Sequence, residues 1–214
     1  MHMIGKHKQL VHPAISWLRI GFGILALFAI VTQLTRTIQN GHSVINFFSF
    51  FTIESNLLAA IVLLIVGFGS LAGAKAYRSF AFIRGAATLC MVMTGIIFAL
   101  LLSGLEQRLQ VTIPWVNIVL HYVMPVVMLL DWLLFPPKFR FSFGQTLFWL
   151  LFPLAYLVYS LIRGSLIGWY PYPFLDVTQI GWGSVILMSV VIAVGAAALA
   201  WILSLRTRYK VVER

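Results

Sequence analysis

The sequence predicts an all-α polytopic membrane protein, a six-transmembrane-helix bundle forming a single domain over residues 1–214 with both termini cytoplasmic. Three observations predict it. Of the 214 residues, 61% are hydrophobic and only 9% are charged, where a soluble domain carries about 25% charged residues. Six apolar runs reach the roughly 20 residues that a helix rising about 1.5 Å per residue needs to cross a bilayer. Finally, Lys and Arg alternate between dense and sparse from one inter-run segment to the next, as the positive-inside rule requires.

The runs cover residues 14–34, 46–68, 80–102, 114–135, 143–162 and 182–203. The first follows Lys6 and Lys8 as a signal peptide would. It is too long for a signal core and lacks a small-residue cleavage site, so it reads as a retained span. The segments between runs are too short for a separate soluble domain. Twelve of the 15 Lys and Arg fall on one side, among them Arg19, Lys75, Arg78, Arg84, Lys138, Arg140, Arg206 and Arg208; only Arg36, Arg108 and Arg163 fall on the other. In a soluble protein, 15 basic against 5 acidic residues would suggest nucleic acid. Here the pattern predicts topology and contact with membrane lipids, and no nucleic acid. The single cysteine, Cys90, sits in an apolar run and excludes an intrachain disulfide. No Asn-x-Ser/Thr acceptor occurs, which fits a bacterial cytoplasmic (inner) membrane.

Polar residues inside the runs carry the functional signal. The second run holds Thr52, Glu54, Ser55 and Asn56 within a turn and a half, and the fourth holds His121, the only histidine in a span. Thr52 lies about 9 Å and His121 about 10 Å below the outer ends of their helices, a matched depth. Thr52 and Asn56 share a helix face with Ser55 beside them, while Glu54 points away, toward a partner such as Arg36 or Arg108. Asn117, His121 and Pro125 form an i, i+4, i+8 stripe, and Asp131 returns to nearly the face of Asn117. Pro125 has no N–H for the carbonyl of His121, which loosens the helix there. For Asp131 an interfacial ion pair with Lys138 or Arg140 is the simplest partner.

Each group has a structural alternative, since Ser and Thr in membrane helices commonly bond backbone carbonyls and glue helices together. One spanning histidine cannot supply paired haem ligands. No cluster has metal-ligand spacing, and there is no HExxH, P-loop or dinucleotide fingerprint, so neither a metal nor another cofactor is expected. The last outer loop reads WYPYPFLDV, residues 169–177. It predicts either an interfacial belt or a stiff wall that brings Tyr172 or Asp176 near His121.

FFTIESNLL in the second run, LHYVMPVVMLLDW in the fourth and YPFLD in the last outer loop together resemble the androgen-induced-gene family of membrane hydrolases. They resemble still more closely the bacterial six-span Pr-six-Pr family. The resemblance implies an intramembrane hydrolase of fatty acid esters of hydroxy fatty acids, with Thr52 in the nucleophile's place and His121 in the base's. This chain departs from the pattern in having Tyr122 after the histidine, and a shifted alignment makes Ser55 the rival nucleophile.

The chemistry is consistent on its own terms. A threonine hydroxyl needs an adjacent base, a neutral imidazole can take and return its proton, and Asn56, Asn117 or Tyr122 could donate to an oxyanion. Asp131 lies about 15 Å further along its helix, so the residues predict a Thr–His dyad rather than a triad. Lipid-like substrates could reach it sideways from the bilayer. A small-solute or proton carrier using the same polar pocket, and a non-enzymatic scaffold, remain as readings of a different class.

Overall fold

The computed structural model describes residues 13–75, 77–105 and 113–208. The basic residues Lys6, Lys8, Lys210 and Arg214, and the outer Arg108, lie outside these. The described residues are helical throughout their ordered elements, with no strand among them. Helix α1 is Pro13–Gln39, opened by a proline whose fixed φ suits a first helical turn. A short helix α2, Val44–Phe48, is capped by the Ser43 side chain and breaks at Ser49 and Phe50 before α3, Phe51–Leu71. Then follow α4, Arg78–Leu102, α5, Pro114–Leu134, and α6, Phe143–Ile167, the last opened by a Ser142/Gln145 capping box that satisfies two otherwise orphan donors. Helix α7, Val177–Arg208, carries a kink at Gly181, where φ is 75° and only glycine is unstrained.

Six of these helices are long and apolar enough to cross a membrane, and the chain is an integral multi-pass membrane protein. Number and order of the spans agree with the sequence, but one boundary changes the site. The second run is not one helix from residue 46. The chain breaks at Phe50, whose backbone is extended, so Thr52 stands in the first turn of α3 rather than two turns down a continuous helix.

Helices α1, α3, α4 and α5 form the packed centre, and α6 and α7 lie against one side of it. In lipid there is no hydrophobic drive to bring helices together, so close approach depends on small residues. A Cβ at Gly23 would meet Leu64 at 2.8 Å, and one at Gly67 would meet the Ser16 carbonyl at 2.9 Å. These two glycines let α1 and α3 touch backbone to side chain. The small-residue pair Ala193 and Ala197, noticed in the sequence as a packing motif, sits in α7 and is less central. Over their apolar windows α3 and α4 are 56% and 61% buried, α6 and α7 only 17% each.

At the end where α1 begins, Asp131 of α5 bonds Arg19 of α1 at 2.7 Å and faces Arg84 of α4 at 3.2 Å. Arg84 also donates to the Phe135 carbonyl and lies over the Trp132 ring. The expected pair with Lys138 or Arg140 is therefore wrong. The carboxylate turns inward, because two buried guanidinium groups need it more than the exposed cations do. Arg19 and Arg84 still mark the basic end of the bundle, but from inside it. At the opposite end, Arg163 donates to Asn46 of α2 at 2.6 Å and covers the Trp169 ring.

Candidate active site

The break before α3 is what builds the site. It places the amino end of a long helix inside the protein, with its first backbone N–H groups lacking partners within the helix. One of them, Thr52 N–H, donates to the Tyr172 hydroxyl at 3.3 Å. The Thr52 side chain, 8% exposed, points the same way. Its Oγ1 lies 3.2 Å from His121 Nε2 and 3.5 Å from the Tyr172 hydroxyl. The two residues that the sequence placed at one depth are thus in hydrogen-bond reach across 69 positions of chain.

The local winding of α5 turns His121 toward Thr52. Residues Val119–Val123 form a π turn, an insertion of one extra residue that is frequent at functional sites. Its cause is legible in the sequence. Pro125 has no N–H to offer the His121 carbonyl, so the turn before it opens. Facing it, a Cβ at Gly95 would sit 2.9 Å from the Pro125 ring, so glycine is what allows α4 and α5 to meet there. Helix α4 ends in a second π turn, Phe98–Leu102, and Phe98 stacks on the imidazole with ring centres 3.9 Å apart and planes 21° from parallel. The ring is thereby held in plane and shielded from water.

The second imidazole nitrogen decides the tautomer. Nδ1 lies 2.6 Å from Asn117 Oδ1, and an amide oxygen only accepts, so Nδ1 carries the proton. Nε2 is then the bare nitrogen, facing the Thr52 hydroxyl. The contacts therefore run from Thr52 through His121 to Asn117, one residue further than the Thr–His pair expected from the sequence.

The other candidates separate cleanly. Ser55 turns to α4, with Oγ 2.9 Å from Thr94 Oγ1, which itself donates to the Cys90 carbonyl; Thr52 and not Ser55 is within reach of His121. Asn56 spends both amide protons on the carbonyls of Thr52 and Leu120, at 2.8 and 3.1 Å. It ties α3 to α5 and has no proton left for an oxyanion. Tyr122 is half exposed and meets Phe98 edge-on, outside the Thr52 cluster. Glu54 has no ion-pair partner among the described residues, Arg36 included. Asp176 is not part of the wall: its carboxylate accepts from Thr178 and Gln179 and caps the start of α7. Burial pushes that carboxyl up, but the hydrogen bonds from Thr178 and Gln179 outweigh it and hold it below its ordinary value.

Tyr172 takes the place that the sequence left open between belt and wall. Its loop folds inward, seated by Gly164, where a Cβ would overlap the Tyr170 ring. Phe174 stacks on the Tyr172 ring at 5.3 Å, and Phe50 packs against it at 5.8 Å. Burial pushes the Tyr172 phenol above its ordinary range even though the hydrogen bonds from Thr52 act in the opposite sense. It therefore stays a donor at neutral and mildly alkaline pH. Phe98 carried no signal in the sequence, being one phenylalanine among 17.

Beside Thr52 a cavity of about 90 Å³ runs between α3, α4, α6 and α7. Thr52, Thr94, Tyr156, Tyr172 and Ser189 contribute its hydroxyls, and the rest of the wall is apolar. No group of three or more His, Cys, Asp or Glu side chains able to hold a metal occurs among the described residues. Compared with models of known families, with curated proteins and with solved structures, the chain gives no match.

Proposed function

We propose that the protein is an intramembrane ester hydrolase in which Thr52 is the nucleophile, His121 the general base and acid, and Asn117 the residue that orients the histidine. The observation that carries this reading is the chain of contacts from Thr52 Oγ1 to His121 Nε2 at 3.2 Å and from His121 Nδ1 to Asn117 Oδ1 at 2.6 Å. A hydroxyl, a base and a group that fixes the base are the parts that nucleophilic acyl transfer needs. The resemblance to the androgen-induced-gene and Pr-six-Pr families supports the same roles. It also suggests lipid-like acyl esters, of the fatty acid ester of hydroxy fatty acid type, as substrates.

In this mechanism His121 Nε2 takes the Thr52 proton as Oγ1 forms a bond to the ester carbonyl carbon. The carbonyl π electrons move onto oxygen. The donor beside Oγ1 for that oxyanion is the Tyr172 O–H, whose oxygen is held in place by the Thr52 backbone N–H at the positive end of α3. Collapse of the intermediate expels the alkoxide, which takes the proton from His121 Nε2–H. Water then attacks the acyl-threonine with His121 again as base. It releases the carboxylic acid and restores the Thr52 hydroxyl. The Lys- and Arg-rich end, with both termini, faces the cytoplasm under the positive-inside rule, so the site lies in the half of the bilayer remote from the cytoplasm. In a bacterial cell this membrane would be the inner one.

Purified protein treated with an alkyl fluorophosphonate probe tests the assignment. Wild type and Ser55→Ala are expected to label, and Thr52→Ala and His121→Ala to lose labelling. Labelling that persists in Thr52→Ala removes Thr52 as nucleophile. Uptake of a small solute by proteoliposomes that depends on His121 without any ester turnover would make the protein a carrier.

A further inference from the structure

We infer that the cavity beside Thr52 is an acyl-chain slot, entered sideways from the bilayer between α6 and α7 and filled by one unbranched hydrocarbon chain of the ester. The inference rests on the hydrolase reading for the position of the ester, but on separate observations for the slot.

The first observation is how α6 and α7 pack. They meet at the basic end, where the first turns of α6 touch α7, and approach one another far less along the remainder. Leu154 and Leu157 of α6 and Ile192 and Ala193 of α7 all line the cavity. Leu154 is 43% exposed, and with both helices mostly unburied the mouth meets lipid, not water.

The second observation is the distribution of polarity. Among the lining residues none is charged, so an ionised solute gains nothing inside. Tyr156 donates its proton to the Ser49 carbonyl and Thr94 donates to the Cys90 carbonyl. Ser189 Oγ on the α7 wall is buried without a hydrogen-bond partner among the described residues, and the hydroxyls of Thr52 and Tyr172 lie together at the reacting end. A neutral ester there, with its chain trailing through the slot to the bilayer, matches polar end to polar end.

The third is physical. A chain already in lipid gains no hydrophobic free energy on entering an apolar slot, so the slot does not attract chains but sorts them by shape. The wall on α7 is built of Ser189, Ile192, Ala193 and Ala196; the three small side chains, spaced by one turn, leave a trough along the helix beside Ile192. A narrow, flexible chain fits such a trough, and a wide rigid ring system does not.

Full-length protein in detergent micelles, photolabelled with a neutral long-chain fatty alcohol carrying a mid-chain diazirine, tests this. The alcohol is uncharged and needs no chemistry to bind. Adducts are expected on the cavity faces of α6 and α7. Ala193→Trp is expected to lower labelling about tenfold by filling the trough, whereas Val194→Trp, on the lipid-facing side of the same helix, leaves it unchanged. In the wild type, an unlabelled straight-chain alcohol is expected to compete and a sterol not to, which needs no variant to fold. Adducts scattered over all lipid-facing helices, or a sterol competing as well as the straight-chain alcohol, overturn the slot. Adducts confined to the cavity without any ester turnover would keep the slot and remove the hydrolase. Ester turnover unchanged by Ala193→Trp would do the reverse.

Discussion

His121 donates Nδ1–H to Asn117 Oδ1 one helical turn away, at 2.6 Å, while its other nitrogen faces Thr52 at 3.2 Å. A ring bonded at both nitrogens and stacked on Phe98 has one orientation and one tautomer. Asn117→Ala removes the orienting acceptor without touching the reacting atoms. It is expected to lower kcat roughly 100-fold, with KM little changed, since misplacement by about 1 Å costs that much. Steady-state kinetics on a soluble ester checks it. A loss confined to KM would mean that Asn117 acts on substrate binding.

Tyr172→Phe keeps the ring stacked on Phe174 and packed against Phe50 but removes the hydroxyl beside Thr52. The variant is expected to fold and to lose about 100-fold to 1,000-fold in kcat, the cost of one oxyanion donor. Because burial raises the Tyr172 phenol, the wild type keeps its donor as pH rises through the ordinary tyrosine range near 10. Any fall in rate between about pH 8 and 10 that persists unchanged in Tyr172→Phe belongs to another group.

The Arg19–Asp131–Arg84 cluster makes an asymmetric prediction. Asp131→Asn leaves two buried guanidinium groups facing each other without a counter-charge and is expected to cost about 3–5 kcal/mol. Arg84→Met leaves the Arg19–Asp131 pair intact at 2.7 Å and is expected to cost less. Thermal denaturation in detergent, followed by size exclusion, ranks the two. Labelling of Thr52 per folded molecule should be the same in both, because the cluster lies about 15 Å along α5 from His121.

Asp176 ties stability to pH in one direction. Its folded carboxyl lies below its ordinary value, so its stabilisation is complete above the unfolded pKa near 3.9 and is lost as pH falls through the lower folded value. Wild type should be more stable than Asp176→Asn at neutral pH, and the difference should shrink in acid below about pH 4. The carboxylate is largely solvated, so the Tm difference is expected to be small.

Gly67→Leu tests the contact of α1 with α3. The added side chain must enter space held by the Ser16 carbonyl and Ile20. Overpacking of this kind costs about 1–3 kcal/mol, read as a lower Tm. Gly21→Leu, on the same helix as Gly23 but with nothing within 4 Å of its Cβ position, should be tolerated.

The span count and order were legible in the sequence because bilayer thickness imposes a length that composition alone reveals. The pairing of Thr52 with His121 was legible from depth, a one-dimensional quantity. What depth could not give was azimuth. The break at Phe50 and the π turn at Val119–Val123 each rotate side chains out of the phase of a straight helix. Asn56 and Asn117, equivalent amides by composition, ended with opposite tasks for that reason. Asp131 was misassigned because sequence proximity favoured Lys138 and Arg140, whereas partners for a buried charge come from other helices. Tyr172 needed the loop to fold inward, and no local signal in WYPYPFLDV distinguishes that from an interfacial belt.

The π turn in α5 divides one span into two separately indexed halves. An extra residue advances everything after it by about 100°, so the half bearing Asn117 and His121 and the half bearing Asp131 keep independent compass bearings. Deleting a single residue from Val119–Val123 would leave the length, hydropathy and composition of the span nearly unchanged. It would nonetheless uncouple the two bearings, so that a chain with its Arg19–Asp131 clasp closed would present a different side chain to Thr52. The span thus works as a dial with one detent, and its setting is stored in the count of residues.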